Sequence, residues 1–490
     1  MPAPNQTALK RPEEIRSLVD RAPLAPPELG SDILLRLVES NAITDRDWKI
    51  ELLDEASQLA RKAKYPLLVH PAVPLAYHSD CDIGKLYGAL DQKLSGLTLQ
   101  CRAIRATLAL DRKKARDLFL DMPLPQFPVL TCRDAIGYDP TEYYVTLKEV
   151  CERAFGEKER REGKPFALLE RAVRGISSPF QMYPAITLIL DVKGLTPDQF
   201  AGLVTEYGSA LKLLNTNDRA FSSTMAYDFL EKFIKLVRLC RDRDIPPSPL
   251  IDAFRSYFVR HTSGPRCAES VDPDNRGLIF SRIMESFNTD LRPLAEDVPE
   301  INKDEVKPAN LGEAAKVFDY WRTPQTKSLL EHVAELLYGS EEQRAIYKKE
   351  HPPEEIHAPD LLPIEVRRKP EWEARAVAFL DELENWKKDQ DVTEANYFHQ
   401  VCSLHTSLIR AIPRGPMYDR VLRSHILFLR GAQIQKDSPP EWYLELDDLI
   451  HLYGASPAER AQVRDEIKRS GDDLMALYMD LNRFEKSRER

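Results

Sequence analysis

Apolar residues recur at steps of three and four through most of this chain, with charged residues falling between them. After residue 217, Phe221, Met225, Phe229, Phe233, Val237 and Cys240 share one helical face, while Asp228, Glu231, Lys232, Lys235 and Arg238 lie largely off it. Glu231 and Lys235 stand at the favourable i,i+4 spacing. Near the C-terminus Leu474, Leu477, Tyr478, Leu481 and Phe484 form a second stripe. Asp472 and Asp473 open it and Lys486 lies near its end, as the helix dipole favours. Comparable amphipathic segments cover much of 28–62, 83–120, 141–155, 165–175, 198–215, 247–260, 312–339, 371–389, 394–411 and 416–435. The best strand candidate is AITLILDV at 185–192. Its apolar run is short and no second alternating run partners it, so it reads as a helix disturbed in its first turn by Pro184. The pattern predicts an all-α protein.

The chain carries 36 prolines, which would break such helices if they fell in the interiors. Many instead stand at helix starts. In Thr196-Pro197-Asp198-Gln199 the threonine can cap, the proline fits the first helical position, and Gln199 can close a capping box. The arrangement recurs at 139–142 (DPTE), 178–181 (SPFQ), 438–441 (SPPE) and 456–459 (SPAE), with partial versions from Lys369 and Thr323.

Short turns marked by proline or glycine join these helices, which makes neighbours antiparallel. Three stretches break the rhythm: a Pro-studded excursion at 64–82, an acidic loop at 292–310, and a Pro- and charge-rich segment at 350–370. The expected organisation is an irregular, α-solenoid-like array of antiparallel hairpins over 1–350, a linker over 351–370, and a C-terminal helical bundle over 371–490. No strict fixed-period repeat is present in the sequence.

The segment LALDRKKARDLFLDMP, 108–123, resembles the second helix of a pentatricopeptide or tetratricopeptide repeat. The resemblance implies that Ala115, Arg116, Leu118 and Phe119 pack against the preceding helix, and it covers this one segment. Pentatricopeptide proteins read RNA bases from fixed repeat positions, so RNA binding is one function the resemblance raises.

Charge lowers that expectation. The net charge of −9 and pI near 5.7 disfavour a generic polyanion-binding surface. The basic runs at 155–165 and 365–372 are interleaved with glutamates and read as solvated surface. No apolar stretch approaches the roughly 20 residues of a membrane span, and the first 20 residues lack the apolar core of a signal peptide. The expected location is cytoplasmic, although a secreted chain stripped of its signal would read the same way. Seven scattered cysteines without a CxxC pair point to reduced, mostly buried thiols. Trp321, Trp372, Trp386 and Trp442 lie in helical contexts and read as packing anchors.

Two clusters offer chemistry. His399, Cys402 and His405 repeat at three-residue steps, and His/Cys ligands suit zinc. Such steps drift round a helix, however, so the outer two lie more than a turn apart. Phe398, Val401, Leu404 and Leu408 mark the apolar face of that helix, and imidazoles flanking it suit packing or capping; His425 is a possible fourth group. The other cluster is His78, Asp80, Cys81 and Asp82, a thiol beside an imidazole. There the simpler reading is an aspartate capping a helix that starts at Ile83. Walker A, HExxH, GxSxG and EF-hand motifs are absent. The sequence therefore predicts a non-catalytic scaffold for a protein or peptide partner, with no catalytic residue and no cofactor assigned. The alternatives are a zinc or thiol enzyme built on either cluster and an RNA-binding helical repeat.

Overall fold

The computed structural model describes residues 12–40, 42–63, 67–68, 93–130, 136–218, 220–223, 226–263, 281–306, 323–340, 361–390, 392, 394–432, 457–471 and 473–481. These residues are overwhelmingly helical, and the protein is all-α. The β structure among them is one antiparallel pairing of two-residue strands, β1 (Leu67–Leu68) with β2 (Ile136–Gly137). The stretch 185–192 lies in a helix, Met182–Asp191, which follows a 3-10 turn at Pro179–Gln181 and holds Pro184 in its first turn. No helix among the described residues is long and apolar enough to cross a membrane.

Described residues up to 306 belong to one compact unit and those from 323 onward to a second. The first contains α1 (Glu13–Arg21), α2 (Pro27–Glu39), α3 (Arg46–Lys62), α4 (Gly96–Leu110), α5 (Arg112–Leu120), α6 (Thr141–Arg153), α7 (Glu157–Arg161) and α8 (Lys164–Arg174). It continues with α9 (Met182–Asp191), α10 (Pro197–Leu213), α11 (Ala220–Ser223), α12 (Ala226–Asp242) and α13 (Ser248–Ser263). Packing runs in two ladders. One passes through α2, α3, α4, α6, α9 and α12, and the other through α8, α10 and α13. Helices α4, α6 and α9 begin at residues 96, 141 and 182, so the starts lie 45 and 41 residues apart.

From α4 onward, buried apolar residues of the ladders form one continuous core, in which Phe233 packs on Phe254 with ring centroids 4.6 Å apart. Ion pairs tie the second ladder together along its length: Arg174 to Glu206 at 2.8 Å and Lys212 to Asp252 at 2.7 Å. Where α2, α3 and α4 meet, charge goes inside. Asp32 accepts from Arg102 at 2.7 Å and pairs with Arg36 at 2.8 Å, and the Arg102 and Asp32 side chains are only 7% and 2% exposed. Arg102 also reaches Glu39 at 3.0 Å.

Helix starts follow the proline pattern with local variations. At α10 the Thr196 hydroxyl accepts from Gln199 N–H (3.3 Å) while the Gln199 side chain accepts from Thr196 N–H (3.1 Å), a complete capping box. Pro27, Pro324, Pro370, Pro416 and Pro457 each open a helix. At 139–142 Pro140 stands one position early, as the cap itself, and Asp139 accepts from Thr141 N–H. At 178–181 Gln181 still accepts from Ser178 N–H, but the Ser178 hydroxyl turns to Asp218 instead of the helix. Positions 438–441 lie outside the described residues, as does residue 456.

In 108–123, Ala115 and Phe119 are buried. Helix α5 packs on α4, and Phe119 also stacks on Tyr143 of the following α6 at 5.5 Å.

The second unit contains α14 (Pro324–Tyr338), α15 (Ile364–Arg367), α16 (Pro370–Asn385), α17 (Glu394–Ala411), α18 (Pro416–Gly431), α19 (Pro457–Ser470) and α20 (Asp473–Leu481). Helix α14 packs on α16 and α17. The described part of the expected linker, 361–370, is held on this unit: Leu362 N–H donates to Leu337 O at 2.8 Å, and the Arg367 guanidinium donates to the carbonyls of Leu362 and Ala411. Trp372 is buried and its indole N–H donates to Leu336 O, as expected of an anchor.

Candidate functional site

The site is built on the antiparallel pair α17–α18. Along α17 the residues Phe398, Val401, Leu404 and Leu408 are all buried, which sets the rotation of the helix and decides where its polar residues go. Cys402 and His405 are carried inside and His399 remains half-buried. His405 meets His425 of α18 face to face, with ring centroids 4.9 Å apart and planes 12° from parallel. Among the described residues, no three His, Cys, Asp or Glu side chains are gathered into a group that could hold a metal ion. Parallel stacked imidazoles direct their in-plane nitrogens side by side, whereas ligands of one metal must point at a common centre.

Hydrogen bonding fixes the tautomer of His405. Its Nδ1 lies 2.9 Å from Val401 O, one turn back on α17, and a carbonyl only accepts, so Nδ1 carries the proton. Nε2 is then the acceptor for the Ser424 hydroxyl of α18 at 3.3 Å. Burial pushes His405 down to about 4, against the opposing pull of its bond to Val401. His425 is more extreme: it is wholly buried, and neither ring nitrogen has a hydrogen-bond partner. Burial, reinforced by the neighbouring His405, holds it well below the usual histidine value. Both rings are therefore neutral at physiological pH. The Ser424–His405 contact has the connectivity of a nucleophile and its base, but a base held near 4 removes a hydroxyl proton poorly at neutral pH.

The stack continues outward. Phe428 lies 6.1 Å from His405 and 20° from parallel, and Phe398 stacks on Phe428 at 5.6 Å. Spacing explains the order, since 398 and 405 are seven apart on α17 and 425 and 428 are three apart on α18. The outer rings form part of the wall of a surface cleft of about 360 Å³, bounded also by Glu394, Tyr397, Leu427, Gly431 and Ala432. Leu427 is 53% exposed there. Tyr397 crosses Trp386 edge to face at 5.1 Å and donates its hydroxyl to Trp386 O at 2.7 Å, which fixes its ring at the mouth.

The other clusters resolve differently. His78, Asp80, Cys81 and Asp82 lie outside the described residues. The described thiols, Cys101, Cys151, Cys240 and Cys402, are buried and form no disulfide. Burial pushes Cys101 and Cys151 up to about 12 and Cys240 up to about 11, which keeps them protonated and poorly nucleophilic. The basic run at 155–165 is paired locally, Arg161 with Glu157 and Lys164 with Glu162, while Glu159 accepts from Arg116. Sequence reasoning marked His405, named His425 as a possible fourth group, and missed the cleft. The i,i+3 pair His425/Phe428 on the buried side of α18 was the available signal.

Comparison of the chain with protein-family models, with curated proteins and with solved structures found no match.

Proposed function

We propose that this chain is a non-catalytic scaffold that binds a protein or peptide partner, its first unit a solenoid-like stack of helical hairpins. The observation that carries the reading is the pair of packing ladders, with successive helix starts 45 and 41 residues apart in the first of them. Two-helix solenoid repeats of the longer kind run about 40–47 residues, and such stacks present extended surfaces suited to partners. The chemistry of the described residues supports the same reading, because Cys101, Cys151 and Cys240 are buried and protonated and the His405–His425 pair is buried and neutral. Buried cysteines outside any disulfide among the described residues also fit a reducing, cytoplasmic setting.

The test is chemical cross-linking in the source cells, followed by affinity capture and mapping of the linked residues. The expected result is a partner at fixed stoichiometry, cross-linked to lysines along one ladder of the first unit. A chain recovered without any stoichiometric partner, at several cross-linker lengths, would count against the scaffold.

A further inference from the structure

The cleft at the open end of α17–α18 has a chemistry of its own. Its walls combine three aromatic rings, an exposed leucine and one carboxylate: Tyr397, Phe398, Phe428, Leu427 and Glu394. Ring faces carry the negative end of the aromatic quadrupole and attract cations within about 6 Å. This protein uses that attraction elsewhere, with Arg414 4.0 Å from the ring of Tyr418 and Arg243 4.2 Å from that of Phe200. Among the described residues, no arginine or lysine is so placed on the rings of the cleft. Glu394 is 61% exposed, and its one ion pair among the described residues is a loose 3.5 Å contact with Lys388, whose ammonium donates at 2.8 Å to Val392 O. The carboxylate thus keeps capacity for a second cation beside the rings. At long range the chain's net charge of −9 favours the approach of a basic partner.

We infer that this cleft docks a basic segment of a partner protein, a lysine or arginine lying against Tyr397 and Phe428 with its head at Glu394, and a neighbouring apolar side chain covering Leu427. The inference rests on the scaffold reading and specifies the chemistry of one contact. It accounts for the coexistence of a half-exposed leucine, aromatic walls and an exposed carboxylate in one cavity, which an acidic or wholly polar occupant would leave unmatched.

The experiment uses the full chain and three labelled 12-residue amphipathic peptides. One carries leucines on one face and arginines beside them, and its twins carry citrulline or glutamate in place of arginine. Binding is read by fluorescence anisotropy at low and high salt. The arginine peptide is expected to bind about threefold to tenfold more tightly than the citrulline twin, with the glutamate twin weakest. Leu427→Asp should abolish binding and Glu394→Gln should weaken it severalfold, both with unchanged melting curves. Equal binding of the arginine and citrulline peptides, or unchanged binding to Leu427→Asp, overturns the inference. So does a dimer of the chain that Leu427→Asp dissolves, since the cleft would then be occupied by a second copy. A cross-linked partner that Leu427→Asp still captures in full removes the cleft from the contact while leaving the scaffold standing. Absence of any partner removes the scaffold itself.

Discussion

At the scale of single residues the most consequential group is His425. A buried imidazole with both nitrogens unpartnered costs free energy in the folded state at every pH, and more when acid would charge it. The direction follows from linkage. His405 and His425 are held below their ordinary value of 6.5, so above that pH both folded and unfolded chains carry neutral rings and the pair gives no pH dependence. Below 6.5 the unfolded chain takes up protons that the folded chain refuses until about 4 at His405, so stability falls as pH falls across that window. His405 alone accounts for at most roughly 3–4 kcal/mol of the loss, at about 1.4 kcal/mol for each pH unit. Denaturant melts of the wild type and His425→Leu at pH 7.5, 6 and 5 check this. The variant should be as stable at pH 7.5 or more so, and should lose less on acidification. An equal or steeper acid loss in the variant would show that the pair is not the source. How far the site could be read in advance also shows at this scale. The periodicity of Phe398, Val401, Leu404 and Leu408 was enough to orient α17. The facing of His405 by His425 was not legible, because the pairing depends on the rotation and register of α18, twenty residues on.

At the scale of elements, helix starts were the most readable feature because a cap is settled within four residues. Thr196 and Gln199 close their box as the local sequence requires. Thr196→Ala should therefore cost about 1 kcal/mol of stability, and Thr196→Ser nearly nothing, as measured by urea denaturation. A Thr196→Ala variant as stable as wild type would show that packing alone sets the start of α10. Ser178 marks where local reading stops. Its hydroxyl is taken by Asp218, forty residues away, which also accepts from the backbone N–H groups of Leu130 and Ala220. No local pattern announces a long-range acceptor, so a sequence with the same signature as Thr196 acquires a different task. Helix breaks behave likewise: 28–62 reads as continuous amphipathic pattern, yet Asp45 caps a fresh start by accepting from Asp47 and Trp48 N–H.

At the scale of the whole molecule the two compact units give a direct expectation for cooperativity. Asp32 in the first unit binds two arginines in a buried setting, and removing one partner of such a pair typically costs about 3–5 kcal/mol because the charges left behind are stranded. In calorimetry, Asp32→Ala is expected to lower one transition and His425→Leu to move another, each leaving its counterpart in place. A single transition shifted by both variants would mean that the units unfold as one.

The sequence by itself determined the all-α class, most helix starts and the faces that turn inward, since these depend on dihedral preference, capping and a 3.6-residue period within a few neighbouring positions. Tertiary structure alone decided that α14 packs with α16 and α17, that Asp32 meets Arg102 across seventy residues, and that four rings line up from the cleft to His425. Those outcomes depend on which of many similar apolar faces pair. Close packing of particular side chains selects among them.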